Sequence, residues 1–464
     1  MSKKTNVLVV LLGLSIVVYL PIITKGLASD DFGVMHRIVF GNIFYLDGFF
    51  RPLSDISLYV CYLIAGFDGW IYNLFNIVLH GASAYLLYRT CLLLFKENEQ
   101  AAVISRTAAV FFVLYPFHNE SIVWVVGRAS NLSCFLGFSA LYSALAYRLS
   151  VPRMLLIGLL YFASLSTYET TITLPFIAAV FLWQLYPTDK RWIKGLCLFG
   201  GVAVLNLLVR SLLVKEIVGE YGARMFDPSV LNNLVKYLKT AGRLFLPPMA
   251  SASAMTVLAV FVFAVLGGIS IRLWKKTSVN RLQLLGISLA VLFSAAIPFL
   301  FGVSTRTIEG DRLLYFPSYF LCCWISFVLI TWMGKPGYRW INIAIASYFL
   351  VFLQINNFTW RKADRITKTI LADMAALRPQ YKKLLVHRLP EEYKGAHVFR
   401  NGFMEALLLN GIDTTGIQIA TFMDPMDIHQ QDQVFLPEEN RPGWVSTPEM
   451  PVIYWNNRNM VIFR

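Results

Sequence analysis

Two adjacent carboxylates, Asp30 and Asp31, follow directly on the first apolar segment of the 464-residue chain. A carboxylate at such a place can act as a general base that takes a proton from a hydroxyl group. Two neighbouring carboxylates can also bind a divalent cation such as Mg²⁺ or Mn²⁺. The pair could equally be the solvated end of a helix, so the residue types by themselves leave a catalytic and a structural interpretation open.

A second group of polar residues, His118, Glu120 and Arg128, separates two later apolar segments. The histidine and the glutamate can transfer protons, and together with Asp31 they could bind a metal ion or simply form hydrogen bonds. The guanidinium of Arg128 presents its donors in a planar fork that matches a phosphate. We therefore predict that Arg128 faces a cavity and binds phosphate.

Further charged residues border other apolar segments. Arg51 opens a short apolar stretch, where it could pair with an acidic residue of the same loop or with a lipid phosphate. Glu169 lies between two apolar runs, where a carboxylate is costly unless it binds substrate or pairs with an arginine. In the loop before residue 315, Arg306 and Arg312 are also candidates for phosphate binding, although a mutually neutralised surface loop is the simpler interpretation.

Polar residues also occur within an apolar segment. Asn76 and His80 are four positions apart, so they share one face of a helix. Polar side chains inside a membrane span usually face the interior of the helix bundle. A hydrogen bond to a neighbouring helix is the simpler role for His80, and support of a substrate site is the alternative.

The elements that position these residues are predicted to be membrane helices. The sequence is 57% hydrophobic and 15% charged, with a mean hydropathy of +0.58, whereas soluble proteins average about 25% charged residues. A helix needs about 20 apolar residues to cross a bilayer, and by that measure the chain has about eleven spans. They centre on residues 5–23, 70–94, 104–118, 130–148, 153–168, 171–186, 196–214, 251–272, 283–302, 314–333 and 340–356.

Lysine and arginine are concentrated in alternate short loops between these spans, which by the positive-inside rule lie in the cytoplasm. The remaining loops then lie outside, together with the C-terminal part, and they hold every charged candidate. They comprise residues 24–69, 118–128, 215–250 and 303–313 and the turn at Glu169. The net charge of +14 therefore reflects orientation in the lipid bilayer, and no nucleic-acid partner is expected.

Two segments of the outer loops, within residues 24–69 and 228–246, are predicted to be helices that lie at the membrane interface. Leu53–Phe67 is apolar but short for a span. A short transmembrane helix is the alternative there, and it would reverse the side of every later loop. The second segment is amphipathic, with its basic residues on one face.

Beyond the last span the sequence becomes polar and mixed, with Pro-Glu-Glu and Arg-Pro-Gly turn signals. We predict a helix over about 360–377 and strands over Val452–Trp455 and Met460–Phe463. The fold class expected for the whole chain is therefore an all-α polytopic membrane domain over residues 1–356, followed by a small α+β extracytoplasmic domain over residues 357–464.

Several nucleotide and hydrolase signatures are absent from the sequence, namely the Walker A motif, the dinucleotide fingerprint, His-Glu-x-x-His and the nucleophile elbow. The predicted cytoplasmic loops are also too short to fold a nucleotide-binding domain. An activated substrate would have to arrive in another form, and a lipid-borne group on the outer side meets this requirement.

The order of these motifs resembles the GT-C superfamily of membrane glycosyltransferases, and most closely the branch with the TMTC-type and protein O-mannosyltransferases. The resemblance covers roughly residues 1–360. Its motifs are Asp30-Asp31, Arg-Pro-Leu at 51–53, Asn-x-x-x-His at 76–80, His-x-Glu at 118–120 with Gly-Arg at 127–128, Glu169, and Arg-x-x-Tyr-x-Pro-Ser at 312–318. The chain lacks the tetratricopeptide repeats of the TMTC-type proteins and has Tyr168-Glu169 where the family usually has Lys-Glu.

The resemblance implies an inverting transferase that moves a sugar, of a hexosyl or mannosyl type, from a polyprenyl-phosphate or dolichyl-phosphate donor to a hydroxyl of a protein or glycolipid acceptor. By position, Asp30 would be the general base with Asp31 as its neighbour. Arg128 would hold the lipid phosphate, and Arg312 is a weaker match for the same role. The reaction would take place on the extracytoplasmic face, and the short chain favours a bacterial inner membrane.

Two other functions are compatible with a multi-pass chain of this kind. A transporter or flippase for a lipid-linked glycan predicts charges near the bilayer midplane and inverted repeats, and the sequence has few of the first and none of the second. A glycan polymerase would share the outer arginines, but the Asp30-Asp31 pair is not expected in one. No cofactor follows from the sequence with certainty, and a divalent cation is the only one it suggests.

Overall fold

The computed structural model describes residues 6–44, 50–214, 229–249, 251–276, 278–423, 431–434 and 446–463. Most of these residues are helical, and a small sheet forms near the C-terminus. The helices are α1 (Val7–Tyr19), α2 (Asp30–Phe40), α3 (Pro52–Ala65), α4 (Gly69–Leu94), α5 (Ala101–Leu114), α6 (Asn119–Ile122), α7 (Arg128–Ala146), α8 (Val151–Leu165), α9 (Leu174–Leu185), α10 (Arg191–Val214), α11 (Val230–Arg243), α12 (Ala252–Lys276), α13 (Ser278–Ser294), α14 (Ala296–Phe301), α15 (Tyr315–Leu377) and α16 (Phe403–Leu409).

Seven helices in the described part of the chain are long and apolar enough to cross a membrane, and five shorter apolar helices accompany them. The expected class, a polytopic helical membrane protein, is thereby confirmed. Each predicted span coincides with a helix or with part of one, except that residues 283–302 cover two successive helices, α13 and α14. The third, fifth and sixth predicted spans correspond to α5, α8 and α9, which are among the shorter helices because their apolar runs are short.

The spans are apolar on their outer as well as their inner faces, as expected where lipid surrounds them. On α8, the side chains of Val151, Leu155 and Leu159 point outward and are 66–71% exposed. The inner faces interlock through aromatic rings, such as those of Phe138 and Tyr319, whose centroids are 3.8 Å apart. This stacking packs α7 against α15.

Helix α15 is a continuous helical run of 63 residues, but it cannot be straight. Its Ser318 contacts His118 and its Asn357 contacts Asn119, so positions far apart in the helix reach adjacent residues of another segment. A straight helix would separate residues 318 and 357 by about 58 Å, since each residue adds 1.5 Å. The helix therefore folds back on itself, as the two predicted spans at 314–333 and 340–356 require.

Two short helices, α2 and α3, lie between the first and second predicted spans. Helix α3 begins at Pro52, a residue favoured at the first position of a helix, and it matches the helix predicted within residues 24–69. Helix α2 was not predicted, although Phe32, Met35 and Ile38 recur at helical spacing and are buried. The aspartate pair therefore begins a helix instead of forming part of an irregular loop.

Helix α11 matches the amphipathic segment predicted within residues 228–246. The preceding part of that outer loop, residues 215–228, lies outside the described residues. Arg243 at the end of α11 is fully buried and forms an ion pair with Asp311, which ties this helix to the loop before α15.

The strands of the C-terminal part are β1 (Leu384–His387), β2 (Glu392–Tyr393), β3 (Ala396–His397), β4 (Ile417–Ile419), β5 (Val452–Trp455) and β6 (Met460–Ile462). They form a four-stranded sheet in the order β4-β1-β5-β6 and a separate two-stranded hairpin, β2–β3. In the sheet, β1 pairs in parallel with β4 and β5, and β6 runs antiparallel beside β5. The two strands predicted from the sequence correspond to β5 and β6, whereas the first four strands were not predicted.

The C-terminal part is joined to the spans by α15 itself, which runs past the predicted boundary between residues 356 and 357 and ends at Leu377. The β2–β3 hairpin turns at Gly395, which has a φ of 90°. A Cβ atom there would lie 2.6 Å from the backbone nitrogen of Ile308, so a glycine lets the hairpin tip pack closely against the loop before α15.

Candidate active site

A cavity of about 550 Å³ lies between α2, α3, the turn that joins α6 to α7, the loop before α15 and the C-terminal part. It gathers residues that are hundreds of positions apart in sequence, and four of its polar residues are arginines. The charged or amide residues that line it are Asp30, Arg37, Arg51, Asp55, Arg312, Arg400, Asn401 and Glu405.

Asp30 is the first residue of α2, and its partly exposed side chain lines the cavity. Its Oδ1 accepts a hydrogen bond of 2.6 Å from the Nδ2 of Asn401. An accessible carboxylate with a defined orientation is what a general base requires.

Asp31 is fully buried, although it is the next residue along the chain. Its two carboxylate oxygens accept hydrogen bonds of 2.9 Å from the backbone N–H groups of Ala28 and Val126. Burial raises the pKa of Asp31 to about 6, against the opposing effects of Lys25 and these two N–H groups. Asp31 thus connects the start of α2 to the turn before α7 and does not itself face the cavity.

Glu120 and Arg312 are brought together at the wall of the cavity. The guanidinium of Arg312 forms an ion pair with Oε1 of Glu120, and its backbone N–H donates to Oε2 at 2.9 Å. Burial raises the pKa of Glu120, but Arg312 and the neighbouring His397 outweigh it and lower the value to about 2. Glu120 is buried, whereas 23% of the Arg312 side chain is exposed, so the cavity meets the cation and not its partner.

Glu169 is held between two arginines from different helices. It forms an ion pair with Arg210 of α10 and lies 3.9 Å from Arg51 at the start of α3. Burial raises the pKa of Glu169, but the two arginines outweigh this and lower it. Arg51 also lies over the ring of Tyr168, at 4.6 Å from its centroid, and both residues line the cavity.

Arg128 lies beneath the cavity wall, although the residues on either side of it line the cavity. It is fully buried, and its guanidinium donates to Asn76 Oδ1 at 2.7 Å, to the Ser57 carbonyl at 2.9 Å and to the Tyr72 carbonyl at 3.0 Å. Its charge also lies over the ring of Phe75, at 4.6 Å. These contacts fix α3, α4 and α7 to one another, and nothing in this environment favours a phosphate as its ligand.

His80 and His118 form part of the bundle interior. His80 Nδ1 lies 2.9 Å from the hydroxyl of Tyr315, and His118 Nε2 lies 2.6 Å from the hydroxyl of Ser318. The two imidazole rings are 5.0 Å apart, and both are fully buried. They connect α4 and the start of α6 to α15, and neither lines the cavity.

The remaining predicted phosphate ligand, Arg306, is exposed and lies outside the cavity lining. Its backbone N–H donates to Ser304 Oγ at 3.3 Å, within the loop before α15. Of the three predicted phosphate-binding arginines, Arg312 alone therefore contributes its side chain to the lining described for this cavity.

The three candidate metal ligands do not come together. Asp31 accepts hydrogen bonds from two backbone N–H groups, His118 is hydrogen-bonded to Ser318, and Glu120 forms an ion pair with Arg312. Within the described residues, no group of three or more histidines, cysteines, aspartates or glutamates could hold a metal ion. Among the residues that the structure describes, the side chains thus do not fit the divalent cation that the sequence suggested.

Several cavity residues were missed in the sequence, and some of them follow a helical pattern. Asp30, Val34 and Arg37 recur at spacings of four and three on α2, as do Arg51 and Asp55 at the start of α3. Recognising α2 as a helix would have placed Arg37 on the same face as Asp30, two turns further on. No comparable sequence signal points to the C-terminal residues Arg400, Asn401 and Glu405.

The comparisons with known proteins find relatives that share part of the chain, although no family model matches it. The protein O-mannosyl-transferase tmtc2 of Xenopus laevis is 35% identical over 98 residues, which cover 21% of this chain and 11% of that protein. A protein O-mannosyl-transferase of Caenorhabditis elegans is 21% identical over 404 residues, which cover 78% of this chain and 56% of that protein. The chain spans only 11–56% of the length of these two relatives. The resemblance to the TMTC-type proteins is confirmed.

Two solved structures are similar to the chain at low sequence identity. ArnT from Cupriavidus metallidurans bound to undecaprenyl phosphate has a TM-score of 0.44 and 11% identity, over 97% of this chain and 93% of that chain. The second is the archaeal oligosaccharyltransferase AglB from Archaeoglobus fulgidus, in complex with an inhibitory peptide and a dolichol-phosphate. It has a TM-score of 0.44 and 11% identity, over 86% of this chain and 64% of that chain.

Proposed function

We propose that this chain, which is similar in sequence to TMTC-type protein O-mannosyl-transferases, is an inverting glycosyltransferase that uses a polyprenyl-phosphate or dolichyl-phosphate sugar. The observation that carries the proposal is an accessible carboxylate, Asp30, in a cavity of about 550 Å³ that four arginines border. A carboxylate can activate an acceptor hydroxyl, and arginine can stabilise the phosphate that leaves. The acceptor hydroxyl, which bonds to the sugar, and the phosphate, which leaves it, therefore each have a partner in the cavity.

The proposed base is Asp30 and not Asp31. Asp30 lines the cavity, whereas both oxygens of Asp31 accept backbone hydrogen bonds in the interior. A base must reach the hydroxyl that it deprotonates, and only the first of the two carboxylates meets this condition. Asp31 has the supporting role of fixing the start of α2.

The proposed phosphate ligand is Arg312, in place of Arg128. Arg312 lines the cavity and is oriented by its ion pair with Glu120, and the exposed part of its side chain faces the space where the donor phosphate would lie. Arg51 and Arg400 border the same cavity and could share the charge of the phosphate. Arg128 supports the site indirectly. It holds α3, α4 and α7 together, and residues of α3 and α7 line the cavity.

In the proposed reaction, Asp30 takes the proton of the acceptor hydroxyl as the hydroxyl oxygen bonds to the anomeric carbon of the sugar. The bond from that carbon to the lipid phosphate oxygen breaks, and the phosphate leaves with the electron pair. Arginine stabilises the charge that develops on the leaving oxygen. A single displacement of this kind inverts the configuration at the anomeric carbon.

Mannose is the first sugar to test, because the relatives are named as O-mannosyl-transferases. The acceptor would be a hydroxyl of a protein or a glycolipid. The positive loops support an orientation in which the cavity opens on the extracytoplasmic side of the membrane. We place the protein in a bacterial inner membrane with its C-terminal part on the periplasmic side.

The test is transfer by the full-length protein in lipid nanodiscs, supplied with radiolabelled undecaprenyl-phosphate mannose or dolichyl-phosphate mannose and with membrane extract as the acceptor source. We expect label to move from lipid to acceptor and free lipid phosphate to appear in equal amount. In D30N the carboxylate is replaced by an amide of the same shape that cannot take the proton. Transfer should then fall by about 100-fold or more.

The matched control is D68N, because Asp68 is an exposed aspartate between α3 and α4 and does not line the cavity. D68N should transfer at the wild-type rate. A D30N variant that keeps its activity overturns the proposal. Movement of the intact lipid-linked sugar across the membrane without cleavage would favour a flippase instead.

A further inference from the structure

One wall of the candidate active site comes from the C-terminal part of the chain. The segment Val398–Gly402 leads from β3 to α16, and its Arg400, Asn401 and Gly402 line the cavity. Asp30, on the adjoining wall, is 371 positions earlier in the sequence. The cavity is therefore complete only when the C-terminal part is docked on α2.

This segment holds the residue before Asp30 in an uncommon conformation. Ser29 has a φ of 52° and a ψ of −124°, which is a sparsely populated region for a residue with a Cβ atom. Its N–H donates to the Val398 carbonyl at 2.8 Å, and its Oγ accepts from the Asn401 N–H at 3.3 Å. Both contacts stabilise a backbone direction that Ser29 would not adopt alone, and this direction sets where Asp30 points.

The fit between the segment and α2 is close. Gly402 has a φ of 77°, and a Cβ atom there would lie 2.7 Å from the Ser29 carbonyl oxygen. The ring of Phe399 stacks on that of Phe32 in α2, with 6.1 Å between centroids. The segment is thus held against α2 by hydrogen bonds, by an aromatic contact and by the absence of a side chain at Gly402.

We propose that Asn401 is a positioning residue for Asp30, so that the C-terminal part completes the active site instead of only adjoining it. The Asn401 amide donates a hydrogen bond of 2.6 Å to Oδ1 of Asp30. Asparagine carries no charge, so it fixes the rotamer of the carboxylate without neutralising it, whereas an arginine would form an ion pair with it. This inference rests on the proposed function, because it assigns the base's orientation to Asn401.

The kinetic test compares N401D with wild type in the labelled-mannose transfer assay. The substitution keeps the shape of the side chain, but it places a carboxylate against Asp30 and removes the donor. We expect kcat to fall about 10- to 100-fold, while the KM for the lipid-linked sugar and the melting temperature stay close to wild type. N401Q, which keeps an amide donor, should recover part of kcat.

The matched control is N410D. Asn410 follows the other end of α16, and its amide donates to the Ala406 carbonyl, away from the cavity. It should leave kcat unchanged. If N401D loses kcat only in proportion to a lowered melting temperature, Asn401 has a structural role alone and the inference is overturned.

A second measurement does not depend on activity. The double variant D30C/N401C, treated with a short bifunctional thiol reagent, should give a link between positions 30 and 401 that peptide mass spectrometry detects. D30C/N410C should give no such link. A missing link in D30C/N401C, or a wild-type kcat in N401D while D30N is inactive, overturns this inference. Persisting transfer in D30N overturns the proposed function separately.

Discussion

Glu120 and Arg312, which are 192 positions apart, bind each other through two contacts. The side chains form an ion pair, and the Arg312 backbone N–H donates to the same carboxylate at 2.9 Å. The carboxylate is buried, whereas part of the guanidinium reaches the cavity. This pair anchors a cation at the rim of the proposed active site, because the buried glutamate fixes the arginine's direction.

The pair allows the binding and structural roles of Arg312 to be separated. R312Q should weaken the binding of undecaprenyl phosphate and should also lower the melting temperature, because Glu120 is left buried without its partner. In the double variant R312Q/E120Q both charges are gone, so the melting temperature should largely recover while binding stays at least about 10-fold weaker. Binding and melting are measured on the same detergent-solubilised protein.

R378Q is the matched control for the loss of an arginine. Arg378 pairs with Asp413 in the C-terminal part and does not line the cavity. It should leave the binding of undecaprenyl phosphate unchanged. Wild-type binding by R312Q/E120Q would show that Arg312 is not a phosphate ligand.

The contacts of Arg128 predict that its replacement lowers the stability of the protein more than it lowers the binding of lipid phosphate. R128Q leaves the Ser57 and Tyr72 carbonyls without their donors in a buried site. Removing one partner of buried hydrogen bonds of this kind costs about 1–3 kcal/mol for each group left unpaired. We expect a clearly lowered melting temperature, measured in detergent, and undecaprenyl-phosphate binding near wild type in the fraction that folds. The opposite result, normal melting with lost binding, would restore the phosphate role that the sequence suggested.

Asp31 predicts a pH dependence of stability. Burial raises its pKa from 3.8 to about 6, so between these values the folded protein holds a proton that the unfolded chain has released. The stability that Asp31 contributes is therefore fully present below about pH 4 and is lost as the pH rises through about 6. D31N has no titrating group at this position and lacks this contribution.

The measurement is the melting temperature of wild type minus that of D31N, taken at intervals from pH 4 to pH 7. Other titrating groups contribute to both proteins and largely cancel in the difference. We expect the difference to fall as the pH rises. A difference that is constant or increases with pH would contradict the raised pKa of Asp31.

The helices of the membrane domain could be predicted because lipid imposes a simple requirement on sequence. A span must bury all its backbone hydrogen bonds within one apolar helix, so its length and composition show in the sequence. The short helix α2 escaped prediction because Asp30, Gly33 and Arg37 interrupt its apolar residues. Its helical spacing was nevertheless present, and this spacing would have placed Arg37 on the same face of α2 as Asp30.

Residue types are a weaker guide to roles than to elements. Arg128 and Arg312 look alike in sequence, as charges beside apolar segments on the same predicted side. Their difference lies in what surrounds them. Arg128 is enclosed by backbone carbonyls and aromatic rings, whereas Arg312 lies beside Glu120 and Trp124 and reaches the cavity. Such surroundings come from distant segments, and local sequence does not encode them.

The sequence by itself determined that the chain is a polytopic helical membrane protein and that the motif at residues 30–31 resembles that of a membrane glycosyltransferase. It also predicted that the charged candidates share one side of the membrane. These conclusions follow from local composition and order. Only the tertiary structure showed that Asp30 lines the cavity whereas Asp31 is buried, that Arg128 lies outside the cavity lining, and that Asn401 contacts Asp30. Those relationships depend on how α2, α3, α15 and the C-terminal part pack, and packing joins residues that are hundreds of positions apart.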